Sequence, residues 1–415
     1  MRGEPVVVSG VGVLCAVADD PAAFAAALRE GRCGIRRGAD GGPGRADLDD
    51  DAPQRALEAL RGSPGLPVDR ALRTTGRSCL AVRAAVAAAL EAWADARLDE
   101  HAPAPDRVGL VVAGNNLTGR QLAALTTRYA QKPRFVPPRS ALRLQDTDQV
   151  GVLSEVLGIE GEGCTVGAAS ASGNLALVQG ARLVASGAAD ACLVVGALTE
   201  LSDVERQAYL NIGAMAPGPA APPFDPDHSG FVAGQAAACA VLESETSARR
   251  RRVPGYARVG GVHARLAATG SAAPDPRAEA AAMTGALRDA GVRPDQVTYV
   301  NTHGTGSPGG DAAELAALDE VFAHTGRRPW VNATKGLTGH CLAAAGVVEA
   351  VAVAVQMRGG FLHPTPGRPP KNVRGAEFTG DAAVPADVSH ALSNGFGFGG
   401  FNSSILFSAL RQTQR

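Results

Sequence analysis

A layered α/β architecture, with sheets covered by helices on both faces and the whole arrangement made twice, is what this 415-residue sequence predicts. Three observations carry the prediction. Strand-like runs such as 108–113 (VGLVVA) and 191–196 (ACLVVG) are apolar throughout, without polar alternation, as in strands buried on both faces. Ala-rich helical stretches are interleaved with those runs. The two halves, 1–250 and 251–415, present a similar order of elements without visible sequence identity, in a chain too long for one ordinary core.

In chain order, residues 5–15 form a glycine-punctuated strand and 21–29 an Ala-rich helix. Residues 38–67, rich in Gly, Pro and Asp, are mostly loop, with room for one short helix at 54–60. A long Ala-rich helix is expected over 72–98, then a strand at 108–113; the Pro-rich stretch 132–139 is irregular. Residues 164–168 are extended, and a helix starts near Ser170, because Leu175, Val178, Ala181, Leu183 and Val184 follow helical spacing. Strands follow at 191–196 and 236–242. The second half repeats the rhythm: a strand at 296–301, a helix at 312–322, a strand at 329–333, a helix at 342–357 and a closing strand at 403–406.

Composition narrows the function classes. A hydrophobic content of 45% with 20% charge is that of an ordinary globular protein. Net charge is −1, and the basic runs at 36–37 and 249–252 are short, so no nucleic-acid partner is expected. Seven dispersed cysteines without a CxxC pair suit small core residues in a reducing compartment. Residues 1–10 show no signal-peptide pattern, and no run approaches the roughly 20 apolar residues of a membrane helix. A cytoplasmic protein is expected.

Two stretches, 304–309 (GTGSPG) and 395–400 (GFGFGG), match the spacing of a dinucleotide loop. That fingerprint needs a strand before it, a helix after it and an acid further on. The second is followed by a strand, and the first carries an internal proline, which argues against a dinucleotide site. Ser170, in 165–173 (TVGAASASG), lies among small residues at a helix N-terminus, where amide groups and the helix dipole favour an anion. Ser170 reads there as a helix cap or as a nucleophile; Ala168 at the second position before it departs from a hydrolase elbow. His303 in 301–306 (NTHGTG) and His340 in 335–340 (KGLTGH) each follow an apolar strand among glycines. Two neutral imidazoles could donate hydrogen bonds to one carbonyl oxygen and hold the enolate formed there. Metal binding is the rival use of histidine, but no Cys/His/Asp spacing completes a site beside either one. His101, His228, His263, His324, His363 and His390 lack such surroundings and read as surface or structural.

Five motifs occur together along essentially the whole chain: the Ser170 segment, 223–225 (PFD) through 230–234 (GFVAG), 303–306 (HGTG), 335–340 with 343–346 (AAAG), and 394–402 (NGFGFGGFN). Through them the sequence resembles the elongating β-ketoacyl-ACP synthases of fatty-acid and polyketide assembly. The resemblance implies a thiolase-like duplicated α-β-α-β-α fold, a homodimer, and no bound cofactor beyond the phosphopantetheine arm of an acyl carrier protein. It implies that His303 and His340 polarise a malonyl thioester, that Lys335 and Glu349 form a supporting ion pair, and that Thr305 and Ser307 contact the arm. Phe398 matches a gating phenylalanine, and Phe396 and Phe401 belong to the same substrate-binding segment.

Departures from the family pattern are informative. Ser170 stands where the resemblance puts a catalytic cysteine; Ser307 and Phe401 stand at usual threonines, Gln235 at a usual glutamate and His228 at a usual arginine. A serine hydroxyl is far less acidic than a thiol, and its oxyester is a poorer acyl donor, so condensation is disfavoured twice. Decarboxylation needs only enolate stabilisation, and both histidines remain. The sequence therefore looks similar to the Ser-type ketosynthase-like decarboxylases of polyketide β-branching cassettes, which convert malonyl-ACP to acetyl-ACP. The block 146–148 (DTD) through 161–163 (GEG), followed by 169–173 (ASASG), also resembles that subgroup. Two alternatives stand beside this: a Ser-nucleophile acyltransferase or acyl hydrolase acting on ACP thioesters, and a non-catalytic chain-length-factor-like subunit.

Overall fold

The computed structural model describes residues 3–38 and 41–410, so residues 39 and 40 of the expected 38–67 loop, and residues 1–2 of the expected signal-free start, lie outside the described part. Ten main strands and one short edge strand build one continuous sheet. The first half supplies β1 (Val6–Cys15), β2 (Val108–Ala113), β3 (Gly163–Val166), β4 (Ala191–Gly196) and β5 (Ala236–Ser244). The second supplies β6 (Ala257–Leu266), β7 (Tyr299–Asn301), β8 (Trp330–Asn332), β9 (His390–Gly397) and β10 (Phe401–Ser408).

The strand order is β1-β5-β4-β2-β3 in the first half and β6-β10-β9-β7-β8 in the second. Strand senses match as well. In each half the first strand is antiparallel to the fifth and the fifth to the fourth, while the fourth, second and third run parallel. The expected duplication is thus written in topology. The halves join where Val6–Val8 of β1 pair antiparallel with Ala257–Val259 of β6, and Glu377–Phe378 adds a short strand beyond β8.

Helices make the other layers. Helix α1 (Leu80–Asp95) covers the outer face of the first half-sheet. Helices α2 (Ser172–Ala185) and α5 (Ala345–Gly359) lie between the half-sheets and touch strands of both. Helices α3 (Pro276–Ala290) and α4 (Pro308–Phe322) cover the second half-sheet. The resulting order is helix, sheet, helix, sheet, helix, as expected. On β5, Ala236, Ala238, Ala240 and Leu242 face the central core, whereas Ala237, Cys239 and Val241 face α1. Both faces of the strand are dry, which is why its sequence shows no alternation.

Several elements differ from expectation. The single helix expected over 72–98 is three: Val68–Thr75, α1 and Leu98–His101. Cys79 is extended (ψ 166°) ahead of α1, and Arg97 is left-handed (φ 54°) after it, so helical hydrogen bonding stops at both places. The strand expected from 296 begins at Tyr299, because Pro294–Gln296 forms a 3₁₀ turn. Strands β6 and β9 and helix α3 were not anticipated; β6 carries Arg258, His263 and Arg265 among its apolar residues. Leu342–Gly359 is long and apolar enough to cross a membrane by length and composition, yet it packs as the central layer between the half-sheets.

Candidate active site

Where β3 ends, the chain turns sharply before entering α2. Ala169 adopts φ 48°, unusual for a residue with a Cβ, and delivers Ser170 to the end of the turn. Ser172 stabilises this turn: its Oγ accepts from Ala168 N at 2.8 Å and donates to Ala169 O at 2.6 Å. Gly397 of β9 backs the turn, and a Cβ there would lie 2.6 Å from Ala168 O. Ser170 is not the helix cap, since the capping position is Ala171 and Ser170 Oγ is turned away to His340. The cap reading is therefore corrected: the close backing of β9 leaves the hydroxyl facing the cavity.

His340 follows the short helix Lys335–Thr338. Its backbone is bracketed by residues 232–234, with His340 N donating to Val232 O (2.7 Å) and Gly234 N donating to His340 O (2.9 Å). A Cβ at Gly234 would lie 2.4 Å from Thr338 O, so the approach requires glycine. The ring packs edge-on against Phe231 at 5.2 Å. Burial, reinforced by the Lys335 charge, holds its imidazole well below the usual range, so it is neutral. Leu342 N donates to Nδ1 at 3.3 Å. A neutral imidazole that accepts at Nδ1 carries its proton on Nε2. Nε2 lies 2.8 Å from Ser170 Oγ and is therefore the donor of that bond.

His303 is wired to the same end. The Lys335 ammonium lies 3.3 Å from its Nδ1, donates to its carbonyl oxygen at 2.5 Å and to Glu349 Oε1 of α5 at 2.5 Å. Lys335 and Glu349 are only 4% and 1% exposed. An ammonium can only donate, so Nδ1 is the acceptor and Nε2 carries the proton. Burial, then the charge of Lys335 and the neighbouring His340, push this imidazole well below its usual value. Burial also raises the Glu349 carboxyl to about 7, against the opposing pull of Lys335. The two rings stand perpendicular with centroids 5.8 Å apart.

Sequence reasoning missed two carboxylates beneath this loop. Glu314 accepts from His303 N and Gly304 N (both 2.8 Å) and from Asn394 Nδ2 (3.0 Å). Asp311 accepts from Thr305 N (3.0 Å), Gly306 N (3.1 Å) and Phe224 N (2.7 Å), and pairs with His228 at 3.1 Å. The available signal was an acid pair three apart, one turn into the helix after the glycines, which places both on one face. The 304–309 stretch does sit between a strand and a helix, but the amides of Gly304, Thr305 and Gly306 are taken by these carboxylates and Ser307 N donates to Thr305 Oγ1, so the loop does not cradle a phosphate. The 395–400 stretch is the hairpin between β9 and β10.

A cavity of about 140 Å³ opens in front of these groups. Ser170, His303, His340, Thr305, Ser307, Phe396 and Phe398 all line it. Phe398 is 39% exposed at its mouth and Phe396 packs 5.6 Å from His303. Lys335 and Glu349 lie behind the histidines. Phe401 does not join this cavity; it lines a separate space of about 210 Å³ with Leu175 and Leu266, because it pairs with Gly397 and strand alternation puts it on the face opposite to Phe396 and its partner Asn402. Among the described residues no group of three or more His, Cys, Asp or Glu is arranged to hold a metal.

Comparison with known proteins agrees with the fold. Residues 3–248 match the beta-ketoacyl synthase N-terminal domain and 256–368 the beta-ketoacyl synthase C-terminal domain. The chain is 33% identical over 410 residues to the polyketide biosynthesis malonyl-ACP decarboxylase PksF of Bacillus subtilis, covering 96% of this chain and 95% of that protein. It is 29% identical to the 3-oxoacyl-[acyl-carrier-protein] synthase 2 of Coxiella burnetii, with 98% and 99% covered. The solved ishigamide ketosynthase/chain length factor superposes with a TM-score of 0.86 at 27% identity, over 99% of this chain and all of that one. The chain belongs to the β-ketoacyl synthase family, with its thiolase-like layered fold.

Proposed function

We propose that this member of the β-ketoacyl synthase family is a decarboxylase that converts malonyl-ACP to acetyl-ACP in polyketide biosynthesis. One observation carries the reading: both histidines present a protonated Nε2 to a cavity whose nucleophile position holds a hydroxyl instead of a thiolate. The malonyl thioester enters with its carbonyl oxygen toward His303 and His340. The bond between Cα and the carboxylate carbon breaks, CO₂ leaves, and the electron pair forms an enolate whose oxygen takes both N–H bonds. Solvent then protonates the enolate carbon, giving the acetyl thioester. No acyl-enzyme is needed. The likeness to PksF supports the same reading.

The arrangement also argues against Ser170 as an activated nucleophile. A general base needs a free lone pair toward the hydroxyl, and the His340 lone pair on Nδ1 is occupied by Leu342 N. The partners in this reading are an acyl carrier protein, through its phosphopantetheine arm, and a second copy of the chain. Incubating purified protein with malonyl-ACP and following intact mass tests the function. Loss of one CO₂ from the carrier without an enzyme adduct is expected; unchanged malonyl-ACP on a competent carrier refutes it.

A further inference from the structure

We infer that Glu279 is a substrate-contacting residue of this cavity, hydrogen-bonding an amide of the phosphopantetheine-type arm that carries the thioester. The inference rests on the proposed function for the identity of the arm. Its basis is a side chain that neither the mechanism nor the family resemblance uses. Glu279 sits in the first turn of α3, is 2% exposed, and lines the same cavity as Ser170, His303, His340, Thr305 and Ser307. Its buried Oε2 has no hydrogen-bond partner among the described residues. A buried polar atom left unpaired is destabilising, so such an atom in a ligand cavity points to a ligand.

The surroundings select the chemistry of that ligand. The charged groups acting on Glu279 are all acidic: Asp275, which caps its own helix, and Asp311 and Glu314 on α4. Burial, with these three adding to it, raises the carboxyl to about 9, so at neutral pH it is a protonated acid with one O–H donor and one acceptor oxygen. An anion, whether phosphate or the malonyl carboxylate, is disfavoured beside three acids. A neutral group that both donates and accepts matches an amide, and a pantetheine arm carries two. Asp311, one of the acids acting on Glu279, also holds the Thr305–Gly306 backbone, and Thr305 and Ser307 line the same cavity as Glu279.

Decarboxylation of malonyl pantetheine and of the amide-free S-ethyl malonyl thioester, by wild type, Glu279→Ala and Glu279→Gln, tests the inference. With malonyl pantetheine, Glu279→Ala raises KM by roughly three- to tenfold at little changed kcat, the loss of one neutral hydrogen bond. Glu279→Gln keeps a donor and an acceptor and remains near wild type. The S-ethyl thioester does not distinguish the three proteins. Equal losses on both thioesters, or no loss on either, overturn the assignment. Should Glu279→Ala fail to fold, Glu279→Leu serves the same comparison. Binding of acetyl pantetheine, read by calorimetry, needs no turnover. A weakening of the same size in the variant supports the inference, and equal binding overturns it even if wild type proves unable to decarboxylate.

Discussion

Replacing Ser170 with alanine separates the proposed reaction from nucleophilic catalysis. In the free site the Nε2–H of His340 is donated to Ser170 Oγ at 2.8 Å. The thioester carbonyl must compete for that same proton. Removing Oγ removes the competitor, a neutral hydrogen bond worth about 0.5–1.5 kcal/mol net. The ring keeps its tautomer, because Leu342 N still occupies Nδ1. Malonyl-ACP decarboxylation by Ser170→Ala should therefore run at or above the wild-type rate, by up to roughly tenfold. Were Ser170 the nucleophile, the same change would remove on the order of 10⁶ in kcat. The assay is CO₂ release together with intact-mass analysis of carrier and enzyme. A fall of about a hundredfold or more, or an acyl group mapped to Ser170 in the wild type, refutes the reasoning.

Four further outcomes are expected. His303→Ala and His340→Ala each remove one donor to the enolate and should lower kcat by about 10²–10³ with smaller changes in KM, measured in the same assay. Glu349→Ala leaves the Lys335 ammonium buried without its carboxylate and should destabilise the fold by about 3–5 kcal/mol in denaturant titration. The double replacement Lys335→Met with Glu349→Leu should recover most of that stability but not activity, since nothing then donates to His303 Nδ1. Glu91 of α1, whose Oε2 accepts from Val13 N, has its carboxyl raised from 4.5 to about 9, chiefly by burial. A raised carboxyl makes the folded state bind protons more readily than the unfolded one, so its ionisation costs stability as pH rises from about 4.5 toward 9. Glu91→Gln should accordingly be near neutral at pH 4 and increasingly stabilising up to pH 9, by at most about 1.4 kcal/mol per pH unit, read from denaturant midpoints at several pH values.

Much of the fold was legible because buried strands and helices leave local marks. The runs at 108–113 and 191–196 became β2 and β4 with the expected bounds. Elements whose sequences mix polar and apolar residues, such as β6, left no such mark; β6 is held in the sheet by pairing with β1 and β10, which are remote in sequence. The splitting of the 72–98 helix was also hidden, because Gly76 and Cys79 are compatible with a continuing helix and only packing decides otherwise.

The sequence by itself determined the duplicated layered architecture and the family. Ser170, His303 and His340 were candidates from their surroundings in the sequence, and Lys335, Glu349, Thr305, Ser307, Phe396 and Phe398 through the resemblance carried by motifs in order along the chain; the structure brings them to or directly behind one cavity. Which nitrogen of each histidine bears the proton was decided only by the tertiary structure, through Leu342 N on one ring and the Lys335 ammonium on the other. So were the withdrawal of Ser170 from the capping position, the turning away of Phe401, the carboxylate support of Asp311 and Glu314, and the exposure of Glu279 to the cavity. The physical reason is the same each time. A hydrogen bond or a dielectric environment depends on atoms brought together from distant positions, and no local pattern encodes that distance.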